Sequence, residues 1–495
     1  MKLSRKLTTV LAGLIVATGV ATCQIWQPLN QQPTFGAGAM LLLTDGTVLV
    51  HSEQSNSQNW YKLTPDITGS YVNGTWSQVA SLPSGYSPLY FGSAVLPDGR
   101  VVIEGGEYNN LTAVWTNQGA IYNPLKNKWT SIAPPSGWNR IGDSPSVVLG
   151  DGTYMQSNCC DRPPKTALLD PSTLTWTATG SNKFDVYDEE GLTLLPNGNV
   201  LAVDAYVFQY DATGMNSELY DPSTGAWASA GSTGVQLWDS AAACGGSNKA
   251  SFEVGPAVLR PDGTVFATGA NKCGAGHTAI YNTHTGTWTA GPDFPGRLDV
   301  ADGPAALETS GNVIVMTSPG IFRKGSVFIE WDGSSLTEIA GPPNARRDSS
   351  FYGHFLELPT GQLMFTDFSS DVEVFTPSGT YNPAWQPTVA GAPSTVTRGN
   401  SYLISGTQFN GLSQGAAYGD DFQDATNYPL LRIVNDATGH VFYCRTHHHS
   451  TMAVATGSKK VSTHFDVPVD VETGPSQLFV VANGIPSAAF PLTVH

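Results

Sequence analysis

The chain has 495 residues, too many for one ordinary domain. Its 53 glycines, 18 tyrosines and 12 tryptophans, with only 13% charged residues, describe a turn-rich all-β protein. A formal charge of −16 excludes nucleic acid as a partner, because phosphate binding needs clustered lysine and arginine.

Residues 1–23 read as an export signal: a basic start at Lys2, Arg5 and Lys6, a short apolar core from Leu7 to Ala21, then small residues. The core is too short to span a bilayer comfortably, and no later stretch is apolar enough for a membrane helix. An extracellular or periplasmic location is expected. Val20-Ala21-Thr22-Cys23 loosely resembles a lipoprotein cleavage box, with Thr22 a poor fit, so an anchor on Cys23 is the alternative.

From residue 35 one pattern recurs. An apolar run meets an Asp-Gly-like turn and a second apolar run follows, which is a hairpin signature. The instances begin with "MLLLTDGTVLV", "SAVLPDGRVVI" and "SVVLGDGTYMQ" and end with "HFLELPTGQLMFT". Their turn residues are Asp45, Asp98, Asp151, Asn197, Asp262, Ser310 and Thr360. A second hairpin follows, clearest in "YNPLKNKW" (122–129), "LDPSTLTW" (169–176), "YDPSTGAW" (220–227) and "YNTHTGTW" (281–288). Two hairpins make a four-stranded unit, and a period near 50 residues means kelch-type blades that must pack in a ring to bury their faces. The expected fold is therefore all-β: a seven-bladed kelch-type β-propeller over 24–389, followed by an immunoglobulin-like β-sandwich over 390–495. Residues 24–34 offer a strand to close the ring, without specifying the blade.

The cysteines of an exported chain are disulfide candidates. Cys244 precedes the blade-five hairpin and Cys273 follows it, so both belong at one end and are expected to pair. Such a loop of about 30 residues gives roughly 3 to 4 kcal/mol in the chain-entropy model. Cys159 and Cys160 are adjacent, below the usual disulfide span, and leave three readings open: a vicinal bridge, free thiols or thiolate ligands. Cys444 is expected to be a lone buried thiol.

A secreted seven-bladed propeller followed by an immunoglobulin-like domain resembles galactose oxidase and glyoxal oxidase, in architecture over nearly the whole mature chain. The resemblance implies copper on the propeller axis, held by residues eight or nine before particular hairpin turns and by a histidine from a C-terminal loop. At those positions Tyr90 matches the family's cross-linked tyrosine. Blade one has Gly36-Ala37 where the family has the cysteine cross-linked to it. Blade seven has Phe351-Tyr352, with His354 two residues on, where the family has adjacent Tyr-His. The departures make a galactose or glyoxal oxidase-like copper oxidase the alternative, not the leading reading.

The same positions carry an acidic ring: Asp143, Asp188, Glu189, Glu253 and Asp302, with Glu190 beside it. Returning strands add Glu53, Glu107, Asp204 and Asp367. At about 8 Å and an effective dielectric of about 20, each like-charged pair costs roughly 2 kcal/mol, so raised pKa values or a bound cation are required. Oxygen ligands favour Ca²⁺, Mg²⁺ or Mn²⁺; an added imidazole would admit Zn²⁺ or Cu²⁺. Asp143, Glu189 and Asp302 are the candidate ligands, joined by His447 and His449 of "CRTHHHSTM" (444–452) if that run is the axial loop rather than a solvated one. Tyr90, Tyr352 and His354 are the candidates for acid–base catalysis; for His354 the rival role is core packing. Trp60, Trp138 and Trp238 are placed in loops, either stacking on sugars or covering blade edges. The leading expectation is an exported, monomeric enzyme with an acidic, metal-assisted site for a carbohydrate or other small polar substrate. An extracellular binding or scaffold protein is its non-enzymatic rival.

Overall fold

The structure, a computed structural model, describes residues 24–53, 57–205, 216–239, 251–271 and 274–495. The signal segment 1–23 and the expected Cys244–Cys273 pair lie outside these residues.

The repeated turn has one local cause. In six repeats the side-chain oxygen of the turn residue accepts a hydrogen bond from the backbone N–H two residues on. Thr47 donates to Asp45, Arg100 to Asp98, Thr153 to Asp151, Asn199 to Asn197, Thr264 to Asp262 and Asn312 to Ser310, at 2.9 to 3.2 Å. The glycine after each turn residue has φ between 77° and 91°, open to glycine at little cost. The outer hairpins set Tyr122 opposite Trp129, Leu169 opposite Trp176, Tyr220 opposite Trp227 and Tyr281 opposite Trp288.

Seven sheets result, each with its innermost strand buried. Those strands are Ala37–Leu42, Gly92–Val95, Ser146–Val148, Leu192–Leu194, Val254–Leu259, Ala305–Leu307 and His354–Glu357. Each touches the next, and the last touches the first, so the blades close a ring. Ile25–Pro28 pairs with Glu373–Thr376 and forms the outer strand of blade seven, so the N-terminal segment closes the propeller there. No α-helix occurs among the described residues, and no helix is long and apolar enough to cross a membrane. Trp60, Trp138 and Trp238 are all buried, so they pack rather than present a sugar-binding face.

The C-terminal strands form one curled sheet of nine, enclosing Ile404, Ile433, Cys444, Phe465 and Leu478. Its strand Thr388–Gly391 pairs with Ser401–Thr407, so the unit begins slightly before residue 390. This unit caps the hairpin-turn end of the propeller: Arg445 donates to the carbonyl of Asp98, and the backbone N–H groups of Thr446 and Met452 to those of Thr44 and Gly150. From it a finger, residues 410–428, enters the axial channel. Gln414 accepts from the N–H of Leu194, Ala416–Ala417 pairs with Ala305 and Ala306 of blade six, and Tyr418 donates to the carbonyl of Phe351. The chain turns there and descends past Ser93 to Tyr428, which donates to the carbonyl of Leu42.

Glu357 locks the base of the finger. It is 2% exposed and accepts from Thr426 at 3.0 Å and Asn483 at 2.9 Å. Burial pushes its pKa up from 4.5 to about 7. A raised folded-state pKa means that its stabilising contribution is complete below pH 4.5 and is lost as pH rises through about 7. The stability difference between Glu357→Gln and wild type should therefore shift by roughly 3 kcal/mol in the variant's favour between pH 4.5 and 8. Denaturant unfolding of both proteins at the two pH values checks this; a constant difference contradicts it.

Candidate axial metal centre

Where the inner strands begin, at the end of the channel opposite the hairpin turns, the backbone takes an uncommon shape. Tyr90, Glu189 and Asp302 have φ of 55°, 61° and 51°, and Gly142 and Phe252, at 77° and 68°, immediately precede Asp143 and Glu253. Left-handed conformations at non-glycine residues cost free energy and persist where surrounding structure enforces them. The recurrence at four blade entries and beside Asp143 places the strain around one cavity, of about 310 Å³.

Glu107, Asp143, Glu189, Glu253 and Asp302 line that cavity, and the finger tip adds Asp420 and Asp421. Tyr90, Tyr108, Phe322 and Phe351 complete its wall; no lysine, arginine or histidine is among its lining residues. The tip reaches this far because Gly419 has no side chain: a Cβ there would stand 2.3 Å from Asp302 Oδ1. One oxygen each from Glu189, Glu253 and Asp302 lies within 4.8 Å of the others. At that distance two full charges would repel by roughly 3 kcal/mol at an effective dielectric of about 20. Burial, then mutual repulsion, pushes Asp143, Glu189, Asp420 and Asp421 well above the usual carboxylate range, and Glu253 likewise; burial raises Asp302 to about 6. Burial and then the charges of Asp302 and Asp188 bring Glu107 to about 7. Glu253 shares side-chain hydrogen bonds with Glu189 and Asp302, while Oδ1 of Asp143 is buried without a hydrogen-bond partner.

The sequence-derived candidates divide. Tyr90, Asp143, Glu189 and Asp302 meet at the cavity, and Tyr90, buried among carboxylates, has its pKa raised further above its ordinary value. Tyr352 sits in a short 3₁₀ turn with its ring against Phe351 and Phe368, and Phe351 rather than Tyr352 lines the cavity. His354 is fully buried behind the finger, its ring 4.5 Å from Phe422 and 5.3 Å from Tyr418, and burial depresses its pKa to about 3. It is a neutral packing residue outside the cavity.

His447 and His449 do not reach the axis. They lie with the C-terminal sheet at the opposite end: His447 bonds Asp466 at 3.0 Å, and His449 bonds Thr463 at 2.8 Å and stacks on Tyr428. The strand Val441–His447 alternates half-buried and buried residues, and His448, with φ of 52°, ends it. Glu190 and Asp204 leave the ring as well, pairing with buried Lys183 at 3.0 and 3.3 Å, beside Glu218 at 2.6 Å. Glu53 pairs with His51 at 2.7 Å. Sequence reasoning missed Asp420, Asp421, Tyr108 and Phe322; "YGDDFQD" (418–424), an acidic pair after glycine between apolar strands, carried the signal for the first two.

No protein-family model matches the chain, and no curated protein matches it. Among solved structures, a fungal alcohol oxidase of the AA5 family in complex with copper aligns with 96% of this chain and 99% of its own, at 13% identity and a TM-score of 0.49. The extracellular domain of a hybrid two-component system from B. thetaiotaomicron aligns with 96% of this chain and 59% of its own, at 10% identity and a TM-score of 0.46. The residues here do not fit the copper-radical centre that the resemblance implies. The cavity offers carboxylate and phenol oxygens, no imidazole lines it, and blade one has Gly36-Ala37 where the family has a cysteine.

Clustered buried carboxylates oppose folding when no cation offsets them. Glu253→Gln should therefore raise stability in chelator at pH 8 by roughly 1 to 3 kcal/mol. Thermal or denaturant unfolding in EDTA reads this directly. A destabilised variant would mean that Glu253 is held by interactions rather than left in repulsion.

Proposed function

We propose that the axial cavity is a hard divalent-cation site, for Ca²⁺, Mg²⁺ or Mn²⁺, and that the chain is an exported enzyme using it on a carbohydrate or other small polar substrate. The observation that carries this reading is the convergence of Glu189, Glu253 and Asp302, one oxygen of each within 4.8 Å of the others, at a cavity with no basic residue in its wall. Oxygen-only donors suit these cations. Glu189, Glu253 and Asp302 would hold the ion, with Asp420 and Asp421 closing the site from the finger. When bound, the cation supplies neutralising charge and polarises a substrate oxygen.

The chain's own residues supply the rest. Phe322, Phe351 and Tyr108 offer apolar ring surface against which the face of a sugar packs. Glu107, at about 7, exchanges a proton readily at neutral pH and is the acid–base group in this scheme. Tyr90 keeps its phenolic proton throughout the neutral range, so it positions substrate as a hydrogen-bond donor and does not act as base.

Elemental analysis of the exported protein, followed by calorimetric titration with Ca²⁺, Mg²⁺, Mn²⁺ and Cu²⁺, tests the proposal. One of the three hard cations should bind, and Asp302→Asn should weaken it at least about tenfold. His447→Ala and His449→Ala should bind as wild type does. Binding of Cu²⁺ alone, or loss of binding in a histidine variant, would overturn the assignment.

A further inference from the structure

Blade three brings a second donor set to the rim of the same cavity. After Tyr154–Ser157 the chain delivers Cys159 and Cys160, joined to each other by a disulfide with their Cα atoms 3.7 Å apart. Cys159 donates its backbone N–H to the carbonyl of Ile141 at 2.9 Å. Its sulfur packs against Gly142, where a Cβ would come within 2.5 Å, so only glycine lets the pair sit beside Asp143. One oxygen of Asp143, one of Asp188 and the two sulfurs all lie within 4.8 Å of one another. Asp143 is 9% exposed, and its Oδ1 has no hydrogen-bond partner. A disulfide has no proton to donate to it; a thiol would, and a cation between the thiolates would take the oxygen as a ligand.

We propose that Cys159, Cys160, Asp143 and Asp188 form a second metal site, gated by the redox state of the disulfide, for a thiophilic divalent cation of the Zn²⁺ class. Reduction opens it. With a phosphine, the S–S bond breaks and accepts two electrons, water supplies two protons and the oxygen, and the products are two thiols and a phosphine oxide. Cys159 is fully buried and Cys160 only partly, so attack falls on the Cys160 sulfur. Binding then displaces the two thiol protons, and the cation takes two thiolates and two carboxylates, the four-donor number that zinc prefers. In the oxidised state the soft donors are tied to each other and only the hard axial site remains. The two sites share the wall residue Asp143 but not their other ligands: this one does not require Glu189, Glu253 or Asp302.

The test uses protein carrying Cys244→Ser and Cys273→Ser, taken below as the wild-type background so that the other expected disulfide adds no thiols; it is reduced with a phosphine, freed of the reagent anaerobically and titrated with Cd²⁺, following thiolate-to-Cd²⁺ charge-transfer absorption. Reduced wild type should bind one more equivalent than oxidised wild type and develop the absorption. Cys159→Ser/Cys160→Ser should lose both, and the single Cys160→Ser should halve the absorption. Asp143→Asn should keep the absorption but bind at least about tenfold more weakly. Glu253→Gln, which strikes the axial site, should leave the extra equivalent intact. Melting curves confirm that each variant is folded. No gain on reduction, an undiminished gain in the double serine variant, or wild-type affinity in Asp143→Asn would each overturn the proposal.

Discussion

Repulsion among carboxylates at the propeller axis is the constraint around which the site is organised. Glu107, Asp143, Glu189, Glu253, Asp302, Asp420 and Asp421 share one cavity wall with no cationic side chain. Elsewhere the protein neutralises buried acids directly: Lys183 sits among Glu190, Asp204 and Glu218. The contrast within one blade is informative, because Glu189 and Glu190 are neighbours and only one is given a lysine. Among the described residues the axial set has no such counter-charge, and its repulsion is relieved by raised pKa values or by a bound cation.

The rest of the architecture holds these groups in place. Inner strands begin with left-handed residues that are tolerable because the ring of blades fixes both sides of each entry. The channel beneath is filled by the finger from the C-terminal unit, pinned at its base by Glu357 and Tyr428 and along its length by pairing with blade six. The C-terminal unit thus contributes to the site from the far end of the propeller, by sending a segment through it. His354, stacked against Tyr418 and Phe422, packs that segment.

Local periodicity made the blades legible in the sequence. Six of the seven turn residues cap their own turns, and in four blades an outer tyrosine or leucine faces a tryptophan seven residues on, so the signal is contained in short windows. The blade-entry acids followed from counting back from those turns, and Tyr90, Asp143, Glu189 and Asp302 do converge. The finger was not legible in the same way. Its path depends on long-range contacts, such as Gln414 with Leu194 and Tyr428 with Leu42, that no local pattern records. The histidine run drew attention by composition, yet its backbone is tied to the hairpin-turn end through Pro97 and Gly150. Tyr352 failed for a smaller reason: it lies in a 3₁₀ turn over Ser350–Tyr352, which sets its ring against Phe351 and Phe368 instead of the cavity.

The central claim is that a hard cation completes the axial carboxylates, and its location can be seen directly. Crystals of the purified protein soaked in Mn²⁺ and measured for anomalous scattering should show a peak within about 2.0 to 2.5 Å of oxygens from Glu189, Glu253 and Asp302. A peak confined to His447 or His449, or an axial cavity without one at saturating Mn²⁺, would contradict the account.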